Sequence, residues 1–193
     1  EKDEKLATLL KNKFSGNINI INEDILKFSK KNLLNNESII FGNLPYNISS
    51  QILIKILRFK LWPPKYSALI FMFQKEMADR IIGKYNTSKY GRLSIITNYK
   101  LRVFNKFNIS PNCFSPKPKV ISTVLYLEPN KKIYSKIKNI ENLEKITNVF
   151  FSNKRKMINK SIKKLLNKNQ IAKLLDLKLD LRPNQIKPEM YYK

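Results

Sequence analysis

The feature that most narrows the fold of this chain is an alternation. Short apolar runs rich in β-branched residues fall at 17–21, 38–42, 67–73, 101–109 and 123–127, and stretches with apolar residues at helical spacing fall at 50–59, 75–82 and 92–100. Strands covered on both faces read as continuous apolar runs, and the helices that cover them carry one apolar stripe. The alternation therefore predicts an α/β doubly wound sheet. No helical stretch separates 101–109 from 123–127, so those two strands are expected to form an antiparallel, hairpin-like edge. Ligands of such sheets bind beyond the carboxyl ends of the strands.

Beyond Pro129 the pattern changes to short helical stretches at 137–151, 157–166 and 170–175, with no strand-like alternation. A boundary is expected at Pro129-Asn130, dividing an α/β domain over 1–129 from a small helical domain over 130–193. A chain of 193 residues with 42% apolar residues has ample material for a core.

Charge points to the partner. Lys and Arg number 38 against 14 Asp and Glu, a formal charge of +24 that suits a polyphosphate such as RNA. Compositional drift toward Lys, Asn and Ile is the bland alternative, yet drift alone does not explain so few acids. With no His and a single Cys, Cys113, a disulfide framework, zinc chemistry and His-based acid–base catalysis are all excluded, and no metal is expected. The longest apolar run, at 68–73, is too short to span a bilayer, and the start lacks a signal-peptide shape. A soluble, cytoplasmic, monomeric protein that makes no membrane contact is expected.

One tetrapeptide carries candidate chemistry. Asn43-Leu44-Pro45-Tyr46 follows the apolar Ile39-Ile40-Phe41 and precedes Ser49-Ser50, which can start a helix. An exocyclic amine on adenine is a poor nucleophile, because its lone pair is delocalised into the ring. The Asn43 side-chain oxygen and the Leu44 carbonyl can accept both of its N–H bonds, drawing the nitrogen toward a tetrahedral shape. Pro45 biases Leu44 to an extended conformation that aims its carbonyl. Tyr46 offers a ring face for stacking, a contact worth about 1–3 kcal/mol per base. The ordinary alternative is a strand-to-helix turn with Asn and Pro as turn formers.

Asn43-Leu44-Pro45-Tyr46 is similar to the [ND]-[LP]-P-[YF] motif of S-adenosylmethionine-dependent methyltransferases that act on amino groups. Downstream, Phe114-Ser115-Pro116-Lys117-Pro118-Lys119-Val120 followed by Ser122 resembles the F-x-P-x-P-x-V-x-S segment of the small-subunit ribosomal RNA adenine dimethyltransferases. Gln74-Lys75-Glu76-Met77-Ala78-Asp79-Arg80 and Tyr90-Gly91-Arg92-Leu93-Ser94 resemble that family's Q-K-E-x-A-x-R and Y-G-x-L-S stretches. Lys154-Arg155-Lys156 with Asn159-Lys160-Ser161 resembles its R-R-K-x-x-x-N-x-L run. The resemblance implies a Rossmann-like methyltransferase domain followed by a small helical domain. It also implies dimethylation of the 6-amino group of adjacent adenosines near the 3′ end of small-subunit rRNA, on the immature small ribosomal subunit. Asn43, Leu44, Pro45, Tyr46 and Phe114 are the implied catalytic set, with Tyr46 and Phe114 on opposite faces of the base. Lys154, Arg155, Lys156 and Lys160 are the implied RNA contacts; a charge run of this kind is also met as a merely solvated face.

Alternatives of other kinds stay open at this level. A large-subunit rRNA adenine methyltransferase of the antibiotic-resistance type shares the tetrapeptide's chemistry, but the segments around Phe114 and Lys154 look more like the small-subunit enzymes. A non-catalytic ribosome-assembly or transcription factor could keep the same fold and basic surface. DNA adenine methyltransferases more often carry Pro-Pro-Tyr after the Asn or Asp.

The resemblance also implies S-adenosylmethionine as methyl donor, held by Glu1, Asp24, Ile25 and Asn43. Glu1-Lys2-Asp3 resembles the acidic end of the family's second strand, whose carboxylate accepts from the ribose hydroxyls. Asn22-Glu23-Asp24-Ile25 resembles its G-D-A-L motif, whose Asp accepts from the adenine amino group. A terminal charge and a helix N-cap are the ordinary alternatives for Glu1 and Asp24. The chain has only four Gly and no G-x-G cluster, although close backbone approach to the cofactor needs glycine. The first strand and its Gly-rich loop are therefore expected to be absent from this sequence, leaving an N-terminally truncated sheet. This chain alone is predicted to bind S-adenosylmethionine weakly or not at all, and calorimetry that found micromolar affinity would overturn that expectation.

Overall fold

Four strands form one sheet in the order β1-β2-β4-β3. The structure, a computed structural model, describes residues 1–14, 16–28, 37–59, 62–130, 137 and 139–193. Strand β1 (Ile39–Asn43) pairs in parallel with β2 (Ala68–Gln74), setting Phe41 beside Ile70 and Asn43 beside Met72. The crossover between them carries helix α2 (Ser49–Leu57). Helices α3 (Lys75–Ile81) and α4 (Arg92–Lys100) lead from β2 to β3 (Leu101–Ile109), and the chain turns back into β4 (Ser122–Pro129). Strand β4 is antiparallel to both neighbours. The expected antiparallel pair is thus present, but only β3 lies at the edge, because β4 inserts between β2 and β3.

The register shows which face is closed. Leu69 lies opposite Leu127 and Phe71 opposite Leu125. All four are at most 1% exposed. They join one apolar cluster with Leu53 and Leu57 of α2, Ile81 of α3 and Ile95 and Tyr99 of α4. Full burial of each such side chain is worth about 1.5–3 kcal/mol, so this face organises the sheet. The opposite face is open by comparison: Phe41 is 70% exposed, Phe104 62% and Phe107 57%.

The helices after Pro129 contribute to the same cluster. Helix α5 (Ile140–Phe151) starts where the Asn139 side chain accepts from the Glu141 N–H (2.9 Å), and it buries Leu143 and Phe150. Arg58, at the end of α2, grips Glu144 of α5 with two hydrogen bonds (2.9 and 2.5 Å). The Tyr192 hydroxyl donates to the Ile95 carbonyl (3.0 Å), and that of Tyr90 to the Ile186 carbonyl (3.1 Å). The helix expected at 157–166 is confined to α6 (Asn159–Ile162). The one expected at 170–175 starts earlier, as α7 (Lys168–Ala172), because Asn167 and Gln170 cap each other reciprocally. A last turn, α8 (Pro188–Tyr191), buries Tyr191.

Two departures from the sequence-based expectation fall at the front of the chain. Residues 4–13 form helix α1 (Glu4–Lys13), capped by Asp3, whose side chain accepts from the Leu6 N–H (2.9 Å). The apolar run at 17–21 is not a strand. The Glu1 nitrogen donates to the Ile21 carbonyl (3.0 Å), and the Glu23 N–H donates to the Glu1 carbonyl (2.9 Å). These bonds form one rung of parallel pairing between Glu1 and Asn22. A strand needs a ladder, and one rung does not make one.

Candidate functional site

The carboxyl end of β1 is shaped by a glycine. A Cβ on Gly42 would fall 2.6 Å from Leu44 Cδ2 and 2.8 Å from Phe71 Cδ1, so only glycine lets Leu44 fold back against the buried ring. Asn43 then ends the strand with an exposed side chain. Its carboxamide has no hydrogen-bond partner among the described residues and is free to accept from a ligand. Past it the backbone tightens into α2: the Ile48 N–H donates to the Pro45 carbonyl (3.1 Å), and the Ser49 hydroxyl to the Tyr46 carbonyl (3.1 Å). The strand-to-helix turn and the candidate site are therefore the same object.

Tyr46 is half-buried, and its hydroxyl meets the Ser122 hydroxyl at 2.6 Å. Ser122 is the first residue of β4, opposite Gln74 of β2 and Ile109 of β3. The ends of β2 and β3 therefore meet at the residue that touches Tyr46. Phe114 stands in the loop between β3 and β4, after a turn of 3-10 helix at Pro111–Cys113 that Ser110 caps. That loop rejoins the sheet at Ser122, so topology brings the Phe114 segment to the same end as Asn43, Leu44, Pro45 and Tyr46. In the sequence Ser122 stands only as the end of a motif, with no role of its own.

Glu1 and Asp24 come together through the Glu1–Asn22 rung. Backbone N–H groups of Asp3 (2.9 Å) and Lys2 (2.8 Å) donate to one Glu1 carboxylate oxygen and hold that carboxyl below its usual range. Asp24 is lowered too, first by the Leu26 N–H on one oxygen (2.9 Å) and then by Lys2, whose ammonium lies 3.3 Å from the other. Asp24 thus caps a turn at residues 25–27 rather than the helix of the ordinary alternative, with both oxygens engaged. Glu1 and Ile25 line a cavity of about 310 Å³ with Ile21, Glu23 and Phe28. Asn43 does not line it. The Glu1 carboxylate beside apolar Ile25 and Phe28 suits the ribose and ring of a nucleoside, an acceptor for hydroxyl groups and a surface for a flat ring, whereas Asp24, the expected acceptor for the amino group, does not line the cavity. Among the described residues no group of three or more His, Cys, Asp or Glu could hold a metal ion.

All four expected RNA contacts, Lys154, Arg155, Lys156 and Lys160, are exposed, and Lys154 is in addition tied down. Lys154 donates to the Ser88 carbonyl (2.7 Å) and lines a cavity of about 670 Å³ with Arg80, Lys89 and Arg92. Its apolar wall includes Ile54, Met77 and Phe151. Glu76 neutralises part of that charge, 2.8 Å from Arg80 and 4.0 Å from Lys89. Arg80 and Arg92 fall inside quoted motifs, but only the fold reveals that they converge. No helix among the described residues is long and apolar enough to cross a membrane.

A parallel sheet with one antiparallel strand inserted beside its edge, and a ring-bearing turn at a strand's carboxyl end, define a Rossmann-like methyltransferase fold. The family model described as ribosomal RNA adenine dimethylase matches residues 1–190, and the chain belongs to that family. It is 46% identical to the ribosomal RNA small subunit methyltransferase A of Pelagibacter ubique, covering 100% of this chain and 74% of that protein. It is 35% identical to the protein of the same name from Rhizobium etli, covering 83% of this chain and 58% of the relative. Among solved structures, a dimethyladenosine transferase from Plasmodium falciparum shares the fold at TM-score 0.77 and 21% identity, over 99% of this chain and 77% of that one. The 23S rRNA methyltransferase ErmE shares it at TM-score 0.67 and 22% identity, with the same coverage.

Substituting Gly42→Ala should force Leu44 and Phe71 apart and destabilise the chain by about 1–3 kcal/mol. Gly91→Ala, whose Cβ would meet nothing nearer than Phe151 at 4.0 Å, should be tolerated. Thermal unfolding of the two variants checks the contrast.

Proposed function

We propose that this chain belongs to an enzyme that transfers methyl groups to the 6-amino group of adjacent adenosines near the 3′ end of small-subunit rRNA. The observation that carries the reading is the free Asn43 carboxamide at the end of β1, beside the anchored Tyr46 ring. The chain spans 74% and 58% of the two relatives described, so activity, substrate and partners are inferred for the whole protein.

The target adenine leaves its stack at a cost of a few kcal/mol and enters the pocket. Tyr46 and Phe114 take its two faces, while the Asn43 side chain and the Leu44 carbonyl accept from the amino group, and Pro45 keeps that carbonyl in place. Bound S-adenosylmethionine supplies an electrophilic methyl group for in-line transfer. Glu1 would accept from its ribose hydroxyls and Asp24 from its adenine amino group, with Ile25 against the ring. Positioning and electrostatics supply most of the acceleration, and the proton leaves to solvent after the nitrogen has become cationic. A second transfer requires the monomethylated amine to rotate in the same pocket and a fresh S-adenosylmethionine to replace the spent cofactor.

Residues 130–193 act in this reading as a small helical RNA-binding domain following the methyltransferase domain at 1–129. Arg155, Lys156 and Lys160 meet phosphates, and Lys154 does so with Arg80, Lys89 and Arg92. The partner is the immature small ribosomal subunit, engaged by a monomer in the cytoplasm. The names of both relatives favour the small subunit over a large-subunit target.

Asn43→Ala should abolish methyl transfer and leave RNA affinity near normal; a collapse of RNA binding would make Asn43 structural instead. Replacing Lys154, Arg155 and Lys156 together by Ala should weaken RNA binding and flatten its dependence on salt, because fewer counterions are released. An unchanged slope in a salt titration would remove these residues from the interface.

A further inference from the structure

We propose that Ser122 is a positioning residue: its buried hydroxyl holds the Tyr46 phenol and thereby fixes the ring on which the target base stacks. The inference rests on the reading of Tyr46 as one wall of the adenine pocket. Ser122 is 0% exposed, and a hydroxyl so deeply buried needs a partner. The hydrogen bond to the Tyr46 hydroxyl, at 2.6 Å, supplies it. The position of Ser122 is set from both sides, opposite Gln74 of β2 and Ile109 of β3, so its hydroxyl is as immobile as the sheet.

Tyr46 is thus held at both ends. At the backbone, the Ser49 hydroxyl donates to its carbonyl (3.1 Å), and Ser49 is itself only 1% exposed. At the ring tip stands Ser122. Between these anchors the side chain is half-buried, three residues along the turn from Asn43. An aromatic wall with a loose tip loses part of its stacking when it swings, and the base then sits less squarely against the Asn43 carboxamide. Ser122 also closes the loop that carries Phe114, so the anchor of one proposed wall lies at the foot of the loop that bears the other.

The test is a double-mutant cycle in the full-length protein, read by methyl transfer and by a fluorescence signal independent of chemistry. Ser122→Ala and Tyr46→Phe each remove the same hydrogen bond, and each should lower kcat by about 2–10-fold with little change in KM for RNA. The double variant should be no slower than either single one. RNA carrying 2-aminopurine in place of the target adenine should fluoresce more strongly when bound to either variant, because stacking on the ring is weaker. Tyr46→Phe leaves the buried β4 position untouched, so it reports even where Ser122→Ala folds poorly. Unchanged kcat and fluorescence in Tyr46→Phe would overturn the proposal. So would a Ser122→Ala penalty that persists undiminished in the Tyr46→Phe background, since Ser122 would then be acting on the fold. Failure of the underlying reading looks different: Tyr46→Ala would keep full methyl transfer.

Discussion

Pairing of β4 with β2 on one side and β3 on the other brings the ends of these strands to a single residue, Ser122. The closed face of the sheet depends on the same pairing, because Leu125 and Leu127 are the partners of Phe71 and Leu69. So does the candidate site, because Tyr46 is anchored at the first residue of β4. A slip of one residue between β2 and β4 would turn Leu125 and Leu127 away from the helices and withdraw the Ser122 hydroxyl from Tyr46. Stability and site geometry are thus set by one register, and the apolar residues that fix it are among the least exposed in the chain.

Much of this is legible in the sequence, and the reasons differ from element to element. The strand at 101–109 and the helix at 92–100 match their predicted bounds, because the helical spacing of Leu93, Ile95, Ile96 and Tyr99 gives way at Leu101 to a segment with Val103, Phe104, Phe107 and Ile109. The site turn is legible because Asn43-Leu44-Pro45-Tyr46 sits directly after an apolar run, where strand ends and ligand sites coincide. Helix α1 escapes the apolar pattern, although Asp3, Glu4, Lys11 and Lys13 give it a cap and favourable charges at both ends. The run at 17–21 reads as a strand because it is apolar and β-branched, but a strand is a property of two segments. The Tyr46–Ser122 bond and the gathering of Lys154 with Arg80, Lys89 and Arg92 are out of reach, since 76 residues separate the first pair. Contacts at that distance are decided by register, which no local pattern reveals.

The chain's charge comes both from its many bases and from its few acids. Of 14 acidic side chains, those of Asp24, Glu76, Asp79, Glu128, Glu144 and Asp176 take part in ion pairs among the described residues. Glu144 and Glu128 are well covered and join distant segments, to Arg58 and Arg102. Glu1 keeps its charge through two backbone N–H groups instead of a cation. None of these paired acids is paired with Arg155, Lys156 or Lys160, although Asp180 lies close by, between Leu179 and Leu181, whose carbonyls accept from the Asn159 and Ile158 N–H groups.

The surface that carries Arg155, Lys156 and Lys160 is not uniform in what it can do. A planar guanidinium grips a phosphate with two parallel hydrogen bonds, whereas an ammonium acts as a point charge on a flexible stem. Arg155 is the one guanidinium of the run, flanked by Lys154 and Lys156 with Lys160 a short step on. In the proposed RNA interface the lysines would supply attraction at long range, and Arg155 would add the contact that depends on geometry. Lys154 divides its role, because its bond to the Ser88 carbonyl ties the run to the cavity where Arg80 and Arg92 stand. Arg155, in the turn after α5, is thus linked through Lys154 to Arg80 of α3 and Arg92 of α4, and in the proposed interface a phosphate backbone would run between them.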